Sequence, residues 1–143
     1  MSIWYRDYSL DDINALNRNT LGEHLEIVFS EIGEDYLVAQ MPVDRRTVQP
    51  GRWLHGGASA ALAEHAGSIA ANLCVEREKY FCVGQEINAS HLRPVPEEDV
   101  VSATVRPLRL GRKAHVWEIR IADRRGRMVC VSRLTMAVVN RHG

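Results

Sequence analysis

Gly57-Ala-Ser-Ala-Ala-Leu-Ala-Glu-His-Ala-Gly-Ser-Ile-Ala-Ala-Asn-Leu-Cys-Val75 is the stretch on which the fold turns. Alanine, the best helix former, dominates it, so one long helix is predicted. Leu62, Ile69 and Leu73 recur at spacings of seven and four and make an apolar stripe suited to a core. Ala60, Ala61, Gly67 and Ala71 read as the opposite surface, where small residues let another group come close to the backbone. Glu64 lies among them, and Ser68 follows one turn later on the same face.

Working outward, the flanks read mostly as strands. Upstream, Ser9-Leu10-Asp11-Asp12 has the form of an N-cap with an acidic first turn, leading a short helix to about Asn17. Tyr36 to Met41 alternates as a strand and stops at Pro42. Asp44 to Trp53, broken by Pro50 and Gly51, reads as an irregular loop. Downstream, Phe81 to Ser90 alternates, and Val100 to Leu108 follows the Pro96-Glu97-Glu98-Asp99 turn. Trp117, Ile119 and Ile121 alternate with Glu118 and Arg120, a half-buried strand. Asp123-Arg-Arg-Gly126 is a hairpin turn leading into Met128 to Val139. The order is helix, strand, long helix, then about four consecutive antiparallel strands. That predicts a single α+β domain over residues 1–143 in which the long helix covers one face of a curved sheet. With few other helices to shield the sheet's edges, joining two sheets in a homodimer is the expected remedy.

Composition narrows the function classes. The chain has 143 residues, 45% hydrophobic and 25% charged, with 18 Lys plus Arg against 18 Asp plus Glu. Zero net charge lacks the electrostatic footprint of a nucleic-acid binder, so an anionic ligand must be held by a local group of cations. Cys74, Cys82 and Cys130 are too far apart for a CxxC redox pair or a zinc knuckle. Their odd number fits a reducing compartment better than a disulfide framework. Arg6, Asp7, Asp11 and Asp12 interrupt the first residues where a signal peptide would be apolar. The uncharged run between Arg52 and Glu64 is eleven residues, against the ~18 that suggest a membrane span. A cytoplasmic protein with no membrane or nucleic-acid partner and no cofactor or metal is therefore expected.

Several familiar motifs are missing. Ser59 and Ser68 lack the flanks of a GxSxG elbow, and neither GxxxxGK[ST] nor HExxH occurs. What remains is Gln49-Pro-Gly-Arg-Trp-Leu-His55-Gly56-Gly57, followed by Glu64 and Ser68. His-Gly-Gly at a helix start offers free backbone N–H groups and the positive end of the helix dipole, without side chains to block a ligand. Such donors suit a developing oxyanion, where losing one typically costs about 2.7–4 kcal/mol of barrier. Read singly, Glu64 also fits a solvated helix glutamate, and His55-Gly56-Gly57 ordinary loop-to-helix punctuation. Arg93, Arg109, Arg112 and Lys113 supply positive charge for phosphates, or are solvated strand-end cations, and the turn at Gly111 could offer backbone N–H groups to an anion.

Gln49-Pro50 and Leu54-His-Gly-Gly-Ala-Ser-x-Ala-Leu-Ala-Glu64-x-x-Gly-Ser68 resemble the signature of hotdog-fold acyl-CoA thioesterases. The likeness is closest to the PaaI-like branch, with its 4-hydroxybenzoyl-CoA, 1,4-dihydroxy-2-naphthoyl-CoA and enterobactin-proofreading enzymes. Ile3-Trp4, Met41 to Thr47, Val83-Gly84-x-Glu-Ile-Asn-Ala89, His91-x-Arg93-Pro94 and Leu110-Gly111-Arg112 carry it nearly end to end. The resemblance implies a long helix wrapped by an antiparallel sheet, with active sites at the interface of a homodimer or dimer of dimers. It implies that Glu64 attacks the thioester or activates water, that the Gly56 N–H polarises the carbonyl, and that Gln49, His55 and Ser68 assist. It also places Gly84, His91, Arg93, Pro94, Gly111, Arg112 and Lys113 against the CoA nucleotide or pantetheine. Relatives commonly carry Phe-Gly and an aliphatic residue where this chain has Gly51-Arg52-Trp53, so a naphthoyl substrate does not simply carry over. Menaquinone synthesis, proofreading of carrier-bound aryl groups and CoA recycling all stay open. So do a non-catalytic acyl-CoA-binding domain and a hydratase or dehydratase, although no aspartate accompanies His55 as the latter requires.

Overall fold

The computed structural model describes residues 1–143. Two short helices, α1 (Leu10–Ala15) and α2 (Leu21–His24), precede β1 (Val28–Ile32) and β2 (Leu37–Pro42). The long helix α3 (Gly56–Leu73) is followed by β3 (Tyr80–His91), β4 (Val100–Leu110), β5 (Ala114–Ala122) and β6 (Met128–Asn140). Helix α1 starts where its sequence asks. Ser9 Oγ accepts from Asp12 N–H at 3.0 Å and Asp12 Oδ2 accepts from Ser9 N–H at 3.1 Å, a reciprocal capping box.

The six strands form one antiparallel sheet in the order β1-β2-β4-β5-β6-β3. This corrects the expected run of four consecutive neighbours. Only β4, β5 and β6 form a meander; β3 crosses to the far edge and pairs with β6. The reason lies in α3, which packs across β2, β4, β5, β6 and β3 and delivers the chain to the side of the sheet opposite β2. Helix α2 and strand β1 were not foreseen, although Leu25, Ile27 and Phe29 alternate inward with exposed Glu26, Val28 and Ser30.

The sheet bends around α3. Register shifts at Gly84/Glu86 in β3 and Pro107/Arg109 in β4 insert an extra residue, and such bulges bend the strand. The core joins Leu62 and Leu73 of α3 to Trp117, Ile119, Ile121, Leu134 and Met136, with Ile13 and Phe29 from the N-terminal part, all essentially inaccessible to solvent. The helix face that enters this core differs from the predicted stripe. Ser59, Leu62, Ala63, Ala66, Gly67, Ala70, Ala71 and Leu73 are buried, while Ile69 is only partly so. Gly67 and Ala71 thus face the sheet, not the surface opposite it. A Cβ added at Gly67 would stand 2.6 Å from Leu134 Cδ2, so the glycine sets how closely helix and sheet approach. Ala60 and Ala61 remain on the outer side, beside Glu64.

Candidate active site

The loop before α3 is held in place by its backbone. Thr47 is buried and its carbonyl accepts from His55 N–H at 2.8 Å, while Leu54 N–H donates to Val95 O at 2.7 Å. Gln49 O accepts from Arg52 N–H at 2.8 Å, closing a turn in which Arg52 has φ 69°. Arg52 then grips Glu97 through both nitrogens, Nε and Nη2 each at 2.7 Å. Gln49 Oε1 accepts from Gly51 N–H within the same turn. The Gly51-Arg52-Trp53 stretch is therefore a fixed corner, with Trp53 44% exposed beside the helix start.

At that start the amides are almost all committed. His55 is the N-cap, and its Nδ1 accepts from Gly57 N–H at 2.8 Å. His55 O takes Ala58 N–H at 2.9 Å and Ser59 N–H at 3.2 Å. Of the four N–H groups that a helix leaves without internal partners, only that of Gly56 has no acceptor within the chain. With Nδ1 accepting, a neutral His55 ring carries its proton on Nε2, an outward donor. His91 lies over the same spot, since a Cβ at Gly56 would stand 2.8 Å from His91 Nε2. Gln49, Trp53, Gly56, Ser59, His91, Arg93 and Pro94 together line a cleft of about 420 Å³.

Glu64 belongs to a different groove. With Leu21, Gly57, Ala60, Ala61, His65 and Ser68 it lines a hollow of about 440 Å³ on the outer face of α3. Its carboxylate reaches the edge strand, where a Cβ at Gly84 would stand 2.5 Å from Glu64 Oε2. Ser68 Oγ, one turn on, donates weakly to Met136 Sδ at 3.7 Å. His65 is structural: Asn17 Oδ1 accepts from its Nε2 at 2.7 Å, and burial lowers the imidazole pKa, keeping the ring neutral. Gly22 of α2 presses on this ring, which seats Leu21 at the rim of the Glu64 groove.

The predicted site residues therefore divide into three groups. Gln49, His55, Gly56, His91, Arg93 and Pro94 gather at the helix start, whereas Glu64, Ser68 and Gly84 gather two turns away. Gly56 and Glu64 are eight residues apart on one helix, about 12 Å at 1.5 Å per residue. Gly111, Arg112 and Lys113 form a third location. His91 pairs with Cys130 of β6, but Ala114 pairs with Ala137, seven residues along the same strand and roughly 23 Å away. Gly111 N–H is spent on Ala114 O at 2.9 Å. Leu21 and Ser59 line the two grooves without having been assigned a role; Ser59 stands within the quoted signature, whereas no motif marks Leu21. Trp53, from the departing tripeptide, lines the cleft at the helix start.

No cysteine offers an alternative nucleophile. Burial pushes the Cys74 thiol up to about 12 and the Cys82 thiol up to about 11, so neither is a thiolate near neutrality.

Comparison with known proteins gives the family. Residues 52–130 match the thioesterase superfamily. A Q49A variant of thioesterase PA1618 from Pseudomonas aeruginosa superposes with a TM-score of 0.94 at 46% identity, covering 97% of this chain and 99% of that one. Thioesterase HI1161 from Haemophilus influenzae gives 0.93 at 46% identity, covering 99% of each chain. The PaaI protein of E. coli, at 23% identity and a TM-score of 0.79 over 92% of this chain and 96% of that one, shares the fold. The helix-and-wrap architecture is the hotdog fold, and the chain belongs to the thioesterase superfamily.

Proposed function

We propose that this thioesterase hydrolyses an aryl- or acyl-CoA, or the equivalent carrier-protein thioester, at sites completed by a second copy of the chain. The observation that carries this reading is the unpartnered Gly56 amide, the one donor left free at the start of α3. Polarising a carbonyl requires that donor near 2.7–3.1 Å from the oxyanion position. A carboxylate about 12 Å along the same helix cannot reach the same carbon. Glu64 of one copy working with Gly56, His55 and Gln49 of another removes the conflict. The β3 edge offers the means: twelve residues with no strand beyond them, running directly past Glu64 at Gly84. Pairing two such edges gives an isologous dimer with two equivalent sites, and two dimers can assemble further.

In this reading the Glu64 carboxylate attacks the thioester carbon or takes a proton from the attacking water. The Gly56 N–H and His55 Nε2–H stabilise negative charge on the carbonyl oxygen, and Ser68 orients the water or the acid product. The acyl group lies against Leu21, Ala60 and Ala61. His91, Arg93 and Pro94 receive the pantetheine end, and the cations of Arg112 and Lys113, with Gly111 at their turn, come from a neighbouring copy to hold the nucleotide phosphates. The test is thiol release from a panel of acyl-CoAs by wild type and Glu64→Ala. Turnover should fall about 10²–10⁴-fold with an unchanged melting temperature. More than a tenth of wild-type kcat in a folded variant defeats the role of Glu64. Hydration without free thiol would favour dehydratase chemistry, and binding without either a scaffold.

A further inference from the structure

At the other end of α3 from Gly56, the N-terminal segment, the residues after the helix and the C-terminal tail enclose a cleft of about 220 Å³ lined by Arg6, Tyr8, Arg77, Glu78 and Arg141. We propose that this cleft is a second ligand site, for a doubly charged oxyanion of the phosphate class. Three guanidiniums and one carboxylate leave a local charge of +2. Glu78 is already committed to Arg6, whose Nη2 reaches its two oxygens at 3.1 and 3.4 Å. Arg141 donates its Nε to Arg77 O at 2.6 Å and lies over the Phe81 ring, with its carbon 5.1 Å from the ring centre. The terminal nitrogens of Arg141 have no acceptor in the chain.

Two further donors make the cleft more than a patch of surface charge. Tyr8 Oη and Arg77 Nε are shielded from water and have no hydrogen-bond partner. Arg77 forms no ion pair with any carboxylate. A buried donor without an acceptor is destabilising, and more so where it is charged. Two of them on residues lining one small cleft, beside Arg141, which has no carboxylate partner, is the pattern left when the acceptor is a ligand. Arginine's planar fork matches the paired oxygens of phosphate. Because the two donors are shielded, a ligand reaches them only after neighbouring side chains shift; Arg6, 51% exposed, lines the same cleft. Neither groove described above shares a residue with this cleft.

The test is a titration with inorganic phosphate, against chloride at matched ionic strength, read by melting temperature and by calorimetric Kd. Phosphate should raise the melting temperature saturably, as a ligand of the native state does. Tyr8→Phe removes only the hydroxyl. Without phosphate it should melt no lower than wild type, since a buried unpaired donor is gone, and it should bind phosphate about tenfold or more weakly, the loss of one charge-assisted hydrogen bond. Arg77→Gln should weaken binding similarly. A phosphomonoester arm with 5′-AMP identifies the source: competition with phosphate points to a nucleotide-borne group, and its absence to the free ion. No saturable effect of phosphate, a Kd unmoved in both variants, or equal binding of acetate would overturn the site.

Discussion

The carboxylate of Glu64 faces Gly84 so closely that a single methyl group on the glycine would stand 2.5 Å from Oε2. Gly84 has no unusual backbone conformation, so space alone requires the glycine. Gly84→Ala should leave the exposed edge strand folded and displace the carboxylate by a fraction of an ångström to an ångström. Misplacement on that scale costs up to about 10²-fold in rate. The expected outcome is a fall in kcat of about tenfold to a hundredfold, with a melting temperature near that of wild type. A kcat equal to wild type would show that the position of this carboxylate does not matter to turnover.

The helix–sheet spacing makes a second, purely structural prediction. At Gly67 an added Cβ meets Leu134 Cδ2 at 2.6 Å inside a core where Leu134 and Ile119 are fully buried. Overpacking of this kind typically costs 1–3 kcal/mol. Gly67→Ala should lower the urea midpoint by that cost less the roughly 0.5–1 kcal/mol that alanine gains over glycine within a helix, whereas Ala60→Ser, on the outer side, should change it little. Equal midpoints for Gly67→Ala and wild type would mean that Leu134 has room to turn away.

Much of this architecture was legible in the chain. The alanine-rich run located α3 to within two residues at each end, because propensity and periodicity agree there. Ser9 and Asp12 located α1, and Asp123 to Gly126 the last hairpin, where Gly126 has φ 81° and Asp123 O accepts from Gly126 N–H at 2.9 Å. Strand order was not legible. Nothing local in Phe81 to Ser90 says whether it pairs with Val100 to Leu110 or with Met128 to Asn140. The small residues of α3 misled for a related reason: Gly67 and Ala71 look like a surface to be approached, and the group approaching them is the molecule's own sheet. The candidate residues could be named from the sequence, but not how the fold groups them. Sequence spacing put Glu64 near Gly56, and the rise of the helix keeps them apart.

Two imidazoles, His115 buried and His65 half-buried, make stability depend on pH. Burial lowers the pKa of both His65 and His115 in the native state. Unfolded imidazoles take up protons below about pH 6.5, while these native ones resist, so the unfolded state binds more protons there. Stability is full above that pH and declines as the pH falls through it, by at most about 1.4 kcal/mol per pH unit for each ring. His115 has an unpartnered Nδ1 and packs edge-on against Trp117 at 6.0 Å between ring centres. His115→Phe keeps a ring in that place and removes the titration. Urea unfolding at pH 7.5 and pH 5 should show a smaller loss in the variant; identical losses would rule out His115 as a source.

The proposed division of the site between two copies makes the sharpest prediction. Glu64 and Gln49 lie in separate grooves of one chain, so variants at the two positions damage different halves of each composite site. In a symmetric dimer, Glu64→Ala and Gln49→Ala homodimers carry a defect in both sites. A heterodimer of the two variants has one site with both defects and one with neither. Co-refolding the two impaired variants in equal amounts gives half heterodimers, so thiol release should recover to about a quarter of the wild-type rate. The recovery must need subunit exchange, since simple mixing of preformed dimers supplies no intact site until they dissociate. If Gln49 and Glu64 of one chain served the same site, every heterodimer site would carry one defect and no recovery could occur. Thiol release that stays at the level of the separate variants, with heterodimers verified by a tag on one partner, would return both halves of the site to a single chain.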